Sequence, residues 1–113
     1  MSADPVLAVV VLDHGSTAEV MLAGDLDVDS EPLLRALVTQ VLIDPQVRRI
    51  EMDMSLVDFC DSSGLTALIR AHAQAGGFGV PLRLVRVGSR LRRILHLTGL
   101  WDVLDCTGVE DAP

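Results

Sequence analysis

Between Arg49 and Met54 the chain alternates polar and apolar residues, with Ile50, Met52 and Met54 on one side and Glu51 and Asp53 on the other. A period of two describes a strand covered on one face. The segments on either side have a different period. Upstream, Leu33, Leu34, Leu37, Val38, Val41 and Leu42 recur at helical spacing, and downstream Leu65, Leu68, Ile69 and His72 stand at i, i+3, i+4 and i+7. A strand held between two amphipathic helices must bury its apolar side against them, which restricts the fold to layered α/β arrangements.

The remaining segments extend this pattern. Val6 to Leu12 is an apolar, β-branched run followed by the turn-forming Asp13, His14, Gly15 and Ser16, and Thr17 to Ala23 returns as a second strand, so the chain should open with a hairpin. Asp29 or Ser30 is available to cap the first helix, with Pro32 in its first turn, and Asp44 and Pro45 end it. Ser55 to Cys60 reads as a short loop into the second helix, which Gly76, Gly77 and Gly79 stop. Pro81 to Val87 reads as a further strand, and Ser89 as the cap of a third helix that carries Leu91, Ile94 and Leu95 inward and ends at Gly99. Leu100 to Leu104 forms a last short element, and Val109 to Pro113 an acidic tail. The expected fold is a mixed β-sheet with its helices packed mainly on one face.

At 113 residues the chain has the length of one domain, 1–113. No apolar run reaches the roughly 18 to 20 residues that span a bilayer, and Met1 to Pro5 carries no secretory leader, so a cytoplasmic protein without a membrane partner is expected. A formal net charge of -7 disfavours binding to nucleic acid or anionic lipid, and Phe59, Phe78 and Trp101 are too few to form a stacking platform. Cys60 and Cys106 lack metal-ligand spacing and read as small apolar residues.

Two clusters carry the candidate chemistry. The stretch DFCDSSGL, Asp58 to Leu65, places Ser62 and Ser63 at the start of the second helix. The plain reading is that one of them is the N-cap, worth about 1 kcal/mol. The functional reading is that a phosphate on a serine here would meet unpaired amides and the positive end of the helix dipole, with Gly64 letting another molecule come close. A hydrolase elbow would need G-x-S-x-G, and neither serine has both glycines. The stretch AGDLDVDS, Ala23 to Ser30, sets Asp25, Asp27 and Asp29 at alternate positions, but a calcium loop would need glycine and glutamate where Ser30 and Ala36 stand. These carboxylates read as solvated loop charge and helix capping. No metal site, cofactor or catalytic residue is expected, and hence no enzyme.

GDLD at Gly24 to Asp27, DSSGL at Asp61 to Leu65 and LRRILHLTGL at Leu91 to Leu100, in this order on this element pattern, resemble the STAS domain, and among STAS domains the bacterial anti-sigma factor antagonists. The resemblance runs from about Val6 to Leu104 and implies a STAS-like mixed sheet. It implies a switch: an antagonist that binds an anti-sigma factor with serine kinase activity, releases a sigma factor, is switched off by phosphorylation and is reset by a phosphatase. The serine immediately before the glycine is the one modified in that family, which here is Ser63, with Asp25, Asp27, Asp61, Ser62 and Gly64 as the surrounding partner surface. Asp25 departs from the glutamate commoner in the family, and Cys60 from a larger apolar residue. Two other uses of the same domain stay open: a structural subunit of a large signalling assembly, or a module that senses a nucleotide or lipid.

Overall fold

The computed structural model describes residues 8–108 of the chain, so the expectations for Val6, Leu7 and Val109 to Pro113 lie outside it. The element order is β1 (Ala8–His14), β2 (Thr17–Leu26), α1 (Ser30–Leu42), β3 (Arg49–Cys60), α2 (Ser62–Gly76), β4 (Leu82–Val85), α3 (Ser89–Leu97) and α4 (Leu100–Val103). The strands form one mixed sheet in the order β1-β2-β3-β4. β1 pairs antiparallel with β2, and β3 lies parallel to both β2 and β4. The α/β fold with an opening hairpin is therefore as the periodicity requires.

One face of the sheet makes the core. Ala18, Val20, Leu22 and Leu26 of β2, Ile50, Met52 and Met54 of β3, and Leu82 and Leu84 of β4 are buried together with Leu34 and Val38 of α1 and Leu68 and Ala71 of α2. Leu91, Leu95 and Leu104 close the same cluster from α3 and the segment after α4. The other face is mixed: Asp53 is buried there with 5 % of its surface exposed. Its carboxylate accepts bonds from the Ser55 amide at 2.9 Å and hydroxyl at 2.7 Å and pairs with the Arg86 guanidinium at 3.3 Å. A buried carboxylate with that many partners is fully compensated.

Four expectations need correction. Ser55 to Cys60 is not a loop but the second half of β3. Alternation fails there because β3 bulges twice: Met21 faces Asp53 while Ala23 faces Leu56, and Gly24 faces Val57 while Asp25 faces Phe59. Each extra residue turns the following side chains over, so Leu56 is exposed where an even-numbered core residue would be buried. Gly24 sits at the second irregularity with φ +114, a conformation that L side chains avoid. β2 also runs on to Leu26, so Asp25 is a strand residue and not a loop residue. His14 ends β1, which leaves Gly15 and Ser16 as the hairpin turn. At α3 the cap position is Gly88, and Ser89 is already helical with no capping bond from a side chain. Arg92 lies over the Trp101 ring at 4.9 Å, and His96 stacks on the same ring at 4.5 Å.

Met52 is fully buried in a central strand, whereas Ile43 is 68 % exposed after α1. Met52→Ala should lower the unfolding free energy by about 2–5 kcal/mol in urea denaturation. Ile43→Ala should change it by less than about 0.5 kcal/mol.

Candidate functional site

β2 and β3 run parallel and finish side by side, Asp25 opposite Phe59 and Leu26 opposite Cys60. Their C-terminal ends therefore deliver the two sequence clusters to the same end of the sheet. The amide of Asp61 donates to the Leu26 carbonyl oxygen at 3.1 Å, which extends the ladder by one bond and fixes where α2 begins. Asp61 is extended, with φ -97 and ψ -172, and its Oδ1 accepts from the Gly64 amide at 3.0 Å. Asp61 is thus the N-cap of α2.

This corrects the plain reading of the serines. Neither Ser62 nor Ser63 is the cap; both are in the first turn of α2, Ser62 exposed and Ser63 half-buried. Among the described residues neither serine hydroxyl takes part in a hydrogen bond. The Ser62 and Ser63 amides also have no intrahelical acceptor at these positions. Asp61 is equally suited to capping, and its carboxylate takes that role without using a hydroxyl.

Gly64 has an internal purpose. It is buried, and a Cβ added to it would lie 2.7 Å from the Leu26 Cβ and closer still to the Leu26 carbonyl oxygen. The close approach that a missing side chain permits is made by Leu26 of the same chain. Leu26 was not singled out from sequence, and no local signal marks it, because its contact with Gly64 is long-range.

The acidic turn before α1 is similarly tied down. The Ser30 hydroxyl accepts from the Asp27 amide at 2.9 Å and donates to the Asp25 carbonyl oxygen at 3.4 Å, while the Ser30 amide donates to the Asp27 carbonyl oxygen at 3.0 Å. The Asp27 carboxylate accepts from the Asp29 amide at 3.0 Å. Ser30 is buried and helical, and Asp29 holds the cap position of α1 without a capping bond from its side chain. Asp25 and Asp27 are half-buried at the same sheet end as Asp61. Among the described residues, no three His, Cys, Asp or Glu side chains come together in a way that could hold a metal ion.

His72 lies nine residues beyond Ser63 on α2, about 14 Å along the helix axis at 1.5 Å per residue. His96 is stacked on Trp101 in the α3 and α4 region. Cys60 adjoins the cap, and its thiol is pushed up to about 12, first by burial and then by the Asp61 carboxylate. Cys106 is pushed up to about 12 as well, mainly by burial, so both thiols stay protonated at neutral pH.

Three outcomes are expected. Gly64→Ala should cost about 1–3 kcal/mol by overpacking against Leu26, and Asp61→Ala about 1 kcal/mol by loss of the cap. Ser62→Ala and Ser63→Ala should each stay within about 0.5 kcal/mol of the parent in the same denaturation assay. Because both folded thiols titrate above the ordinary cysteine value, the stability they support is complete below about pH 9 and declines between about 9 and 12. A double Cys→Ala variant should flatten that alkaline decline, as read from melting temperature against pH.

A family model described as "Mlab, STAS domain" matches residues 10–105. The chain is 32 % identical over 100 residues to the anti-sigma-F factor antagonist RsfB of Mycobacterium tuberculosis, covering 88 % of this chain and 80 % of that one. It is 30 % identical over 101 residues to the anti-sigma-B factor antagonist of Bacillus subtilis, covering 89 % and 91 %. Its structure superposes on the crystal structure of an anti-sigma factor antagonist from Mycobacterium paratuberculosis with a TM-score of 0.76 and 28 % identity, covering 94 % and 89 % of the two chains. With its mixed sheet, its capped DSSGL helix start and these relatives, the chain belongs to the STAS domain family and stands beside the bacterial anti-sigma factor antagonists within it.

Proposed function

We propose that this chain is an anti-sigma factor antagonist: its 1–113 segment acts as one STAS domain that binds an anti-sigma factor with serine kinase activity and so regulates sigma-factor-dependent transcription. Phosphorylation of Ser63 switches it off, and a phosphatase restores it. The observation that carries the reading is that Asp61 caps α2, leaving the Ser63 hydroxyl without a structural task at a helix start. Asp25, Asp27, Asp61 and Ser62 lie around the same sheet end and supply the polar surface for the partner, while Gly64 sets the helix at the depth that presents it. The chain itself performs no chemistry in this reading. It works in the cytoplasm, and among the described residues no helix is long and apolar enough to cross a membrane.

The direction of the switch follows from charge. Phosphoserine adds about -1.5 to -2 charges at pH 7. It adds them two residues from the Asp61 cap carboxylate, at the sheet end that also carries Asp25 and Asp27, with no basic residue in the first turn of α2 to offset them. Against a partner carboxylate about 5 Å away, at an effective dielectric near 20, each unit pair costs roughly 3 kcal/mol before screening. Even a third of that weakens the complex several-fold.

The test is intact mass after incubation with ATP and each anti-sigma serine kinase of the host. One phosphate is expected, kept in Ser62→Ala and lost in Ser63→Ala, with the unmodified chain and Ser63→Ala both binding the kinase and Ser63→Glu binding about tenfold less well or worse. Equal phosphorylation of Ser63→Ala would sink the site assignment. A particle far larger than a dimer on sedimentation would instead favour the assembly-subunit reading.

A further inference from the structure

The two edges of the sheet are treated differently. Beyond β4 the Thr107 amide donates to the Leu84 carbonyl oxygen at 2.9 Å, the Val87 amide donates to the Thr107 carbonyl oxygen at 3.0 Å, and Val87 bridges Gly108. The outer half of β3 outlasts β4 and leaves a groove of about 320 Å³ against α3, but two bulges break its backbone there. β1 has no such cover. It ends the strand order, pairs with β2 in unbroken register from Ala8 to His14, and has no strand on its other side among the described residues. Edges of this kind are normally blunted by proline, lysine or a bulge. AVVVLDH has none of the three. Val11 and Leu12, on opposite faces of the strand, are 47 % and 39 % exposed.

The hairpin decides which backbone groups face outward. Gly15 and Ser16 form a two-residue turn, and the pair that closes such a turn, His14 and Thr17, exchanges both of its backbone bonds. Alternation then gives the backbone groups of Ala8, Val10, Leu12 and His14 to β2 and turns those of Val9, Val11 and Asp13 to the open side. Val11 is the centre of that outward set. An antiparallel strand of the same sequence fits it without offset: Val11 falls opposite Val11 and Val9 opposite Asp13, so each outward group is paired and no two acidic residues stand opposite. Only an identical strand also sets the exposed Val11 side chains against each other across a two-fold axis, the closure that leaves no further edge. Val11 shares a face with the buried Val20 and borders a hollow of about 140 Å³, lined also by Val41 and Val47, so a second copy adds apolar cover there. We infer that β1 is a self-association edge, at which two copies of this chain join antiparallel about Val11 into one eight-stranded sheet. Seven residues of edge bury well under the roughly 1,200 Å² of a stable interface, and each copy carries a net charge of -7, so the dimer is weak and forms at about 10–500 µM. Antiparallel joining sends the two α2 starts to opposite ends of the joined sheet. Both Ser63 positions stay open, and the pairing stands or falls apart from the switch.

The experiment is sedimentation equilibrium of the full chain between about 10 µM and about 1 mM, with amide hydrogen exchange at both ends of that range. A monomer–dimer equilibrium is expected, with the Val9, Val11 and Asp13 amides slowed only at high concentration and the Val10 and Leu12 amides protected throughout. Raising salt from about 0.05 M to about 0.5 M should tighten the dimer several-fold by screening the like net charges. Val11→Pro removes one outward N–H without touching the bonds to β2 and should weaken the dimer about tenfold or more. Val11→Lys sets two like charges opposite each other on an intact backbone and should weaken it about fivefold, which keeps the test valid if proline disturbs the hairpin. Ser63→Ala should dimerise as the parent does. A monomer at every concentration, a dimer that both Val11 variants leave unchanged, or a dimer loosened by salt would overturn the assignment. So would Val9 and Val11 amides already protected in the monomer, since the chain's own terminal residues would then occupy the edge.

Discussion

One contact between two chain segments fixes the candidate site: Leu26 against the start of α2. The Leu26 carbonyl oxygen takes the Asp61 amide, and its side chain and backbone fill the space beside Gly64. That contact joins the end of β2 to the end of β3 and sets the height at which the helix leaves the sheet. Everything functional at this end inherits its position from it. A buried backbone bond and a glycine that admits no Cβ are hard to deform, because packed interiors offer no slack. The serines ride on a rigid base, so a change at Ser63 alters the surface chemistry and not the scaffold.

Division of labour in the first turn of α2 follows from the same base. Capping needs an acceptor one residue before the helix, and Asp61 supplies it with a carboxylate that is also favoured by the helix dipole. Had a serine done this, its hydroxyl would be engaged and its modification would break the cap. With Asp61 in that role, both hydroxyls stay out of the cap, and a change at either serine leaves it standing. The acidic turn after β2 is built on a comparable economy, since the buried Ser30 hydroxyl serves the Asp27 amide and the Asp25 carbonyl together.

Much of this was legible in the chain before any coordinates. The hairpin, both long helices and the buried faces of β2 to β4 follow from period-two and helical spacing, because these segments bury one side each. The outer half of β3 was not legible, since two bulges hide a strand from any test of alternation. The cap was not legible either: Asp61, Ser62 and Ser63 are all good capping residues, and only the extended backbone at Asp61 decides among them. Motif resemblance placed Ser63 correctly at a helix start, but the tight fit of Gly64 on Leu26 depends on residues far apart in sequence. The groove beside β3 arises from a mismatch of strand lengths, 12 residues in β3 against 4 in β4, which no local pattern encodes.

The stacking at the C-terminal end of the fold has a practical side. Trp101 is the sole tryptophan of the chain, and both the Arg92 guanidinium and the His96 imidazole lie against its ring. An indole packed against two side chains of one helix is an optical reporter already in place, free of any label. Because both of its neighbours belong to α3, its emission registers the posture of that helix, and with it one wall of the molecule, in real time and at micromolar concentration.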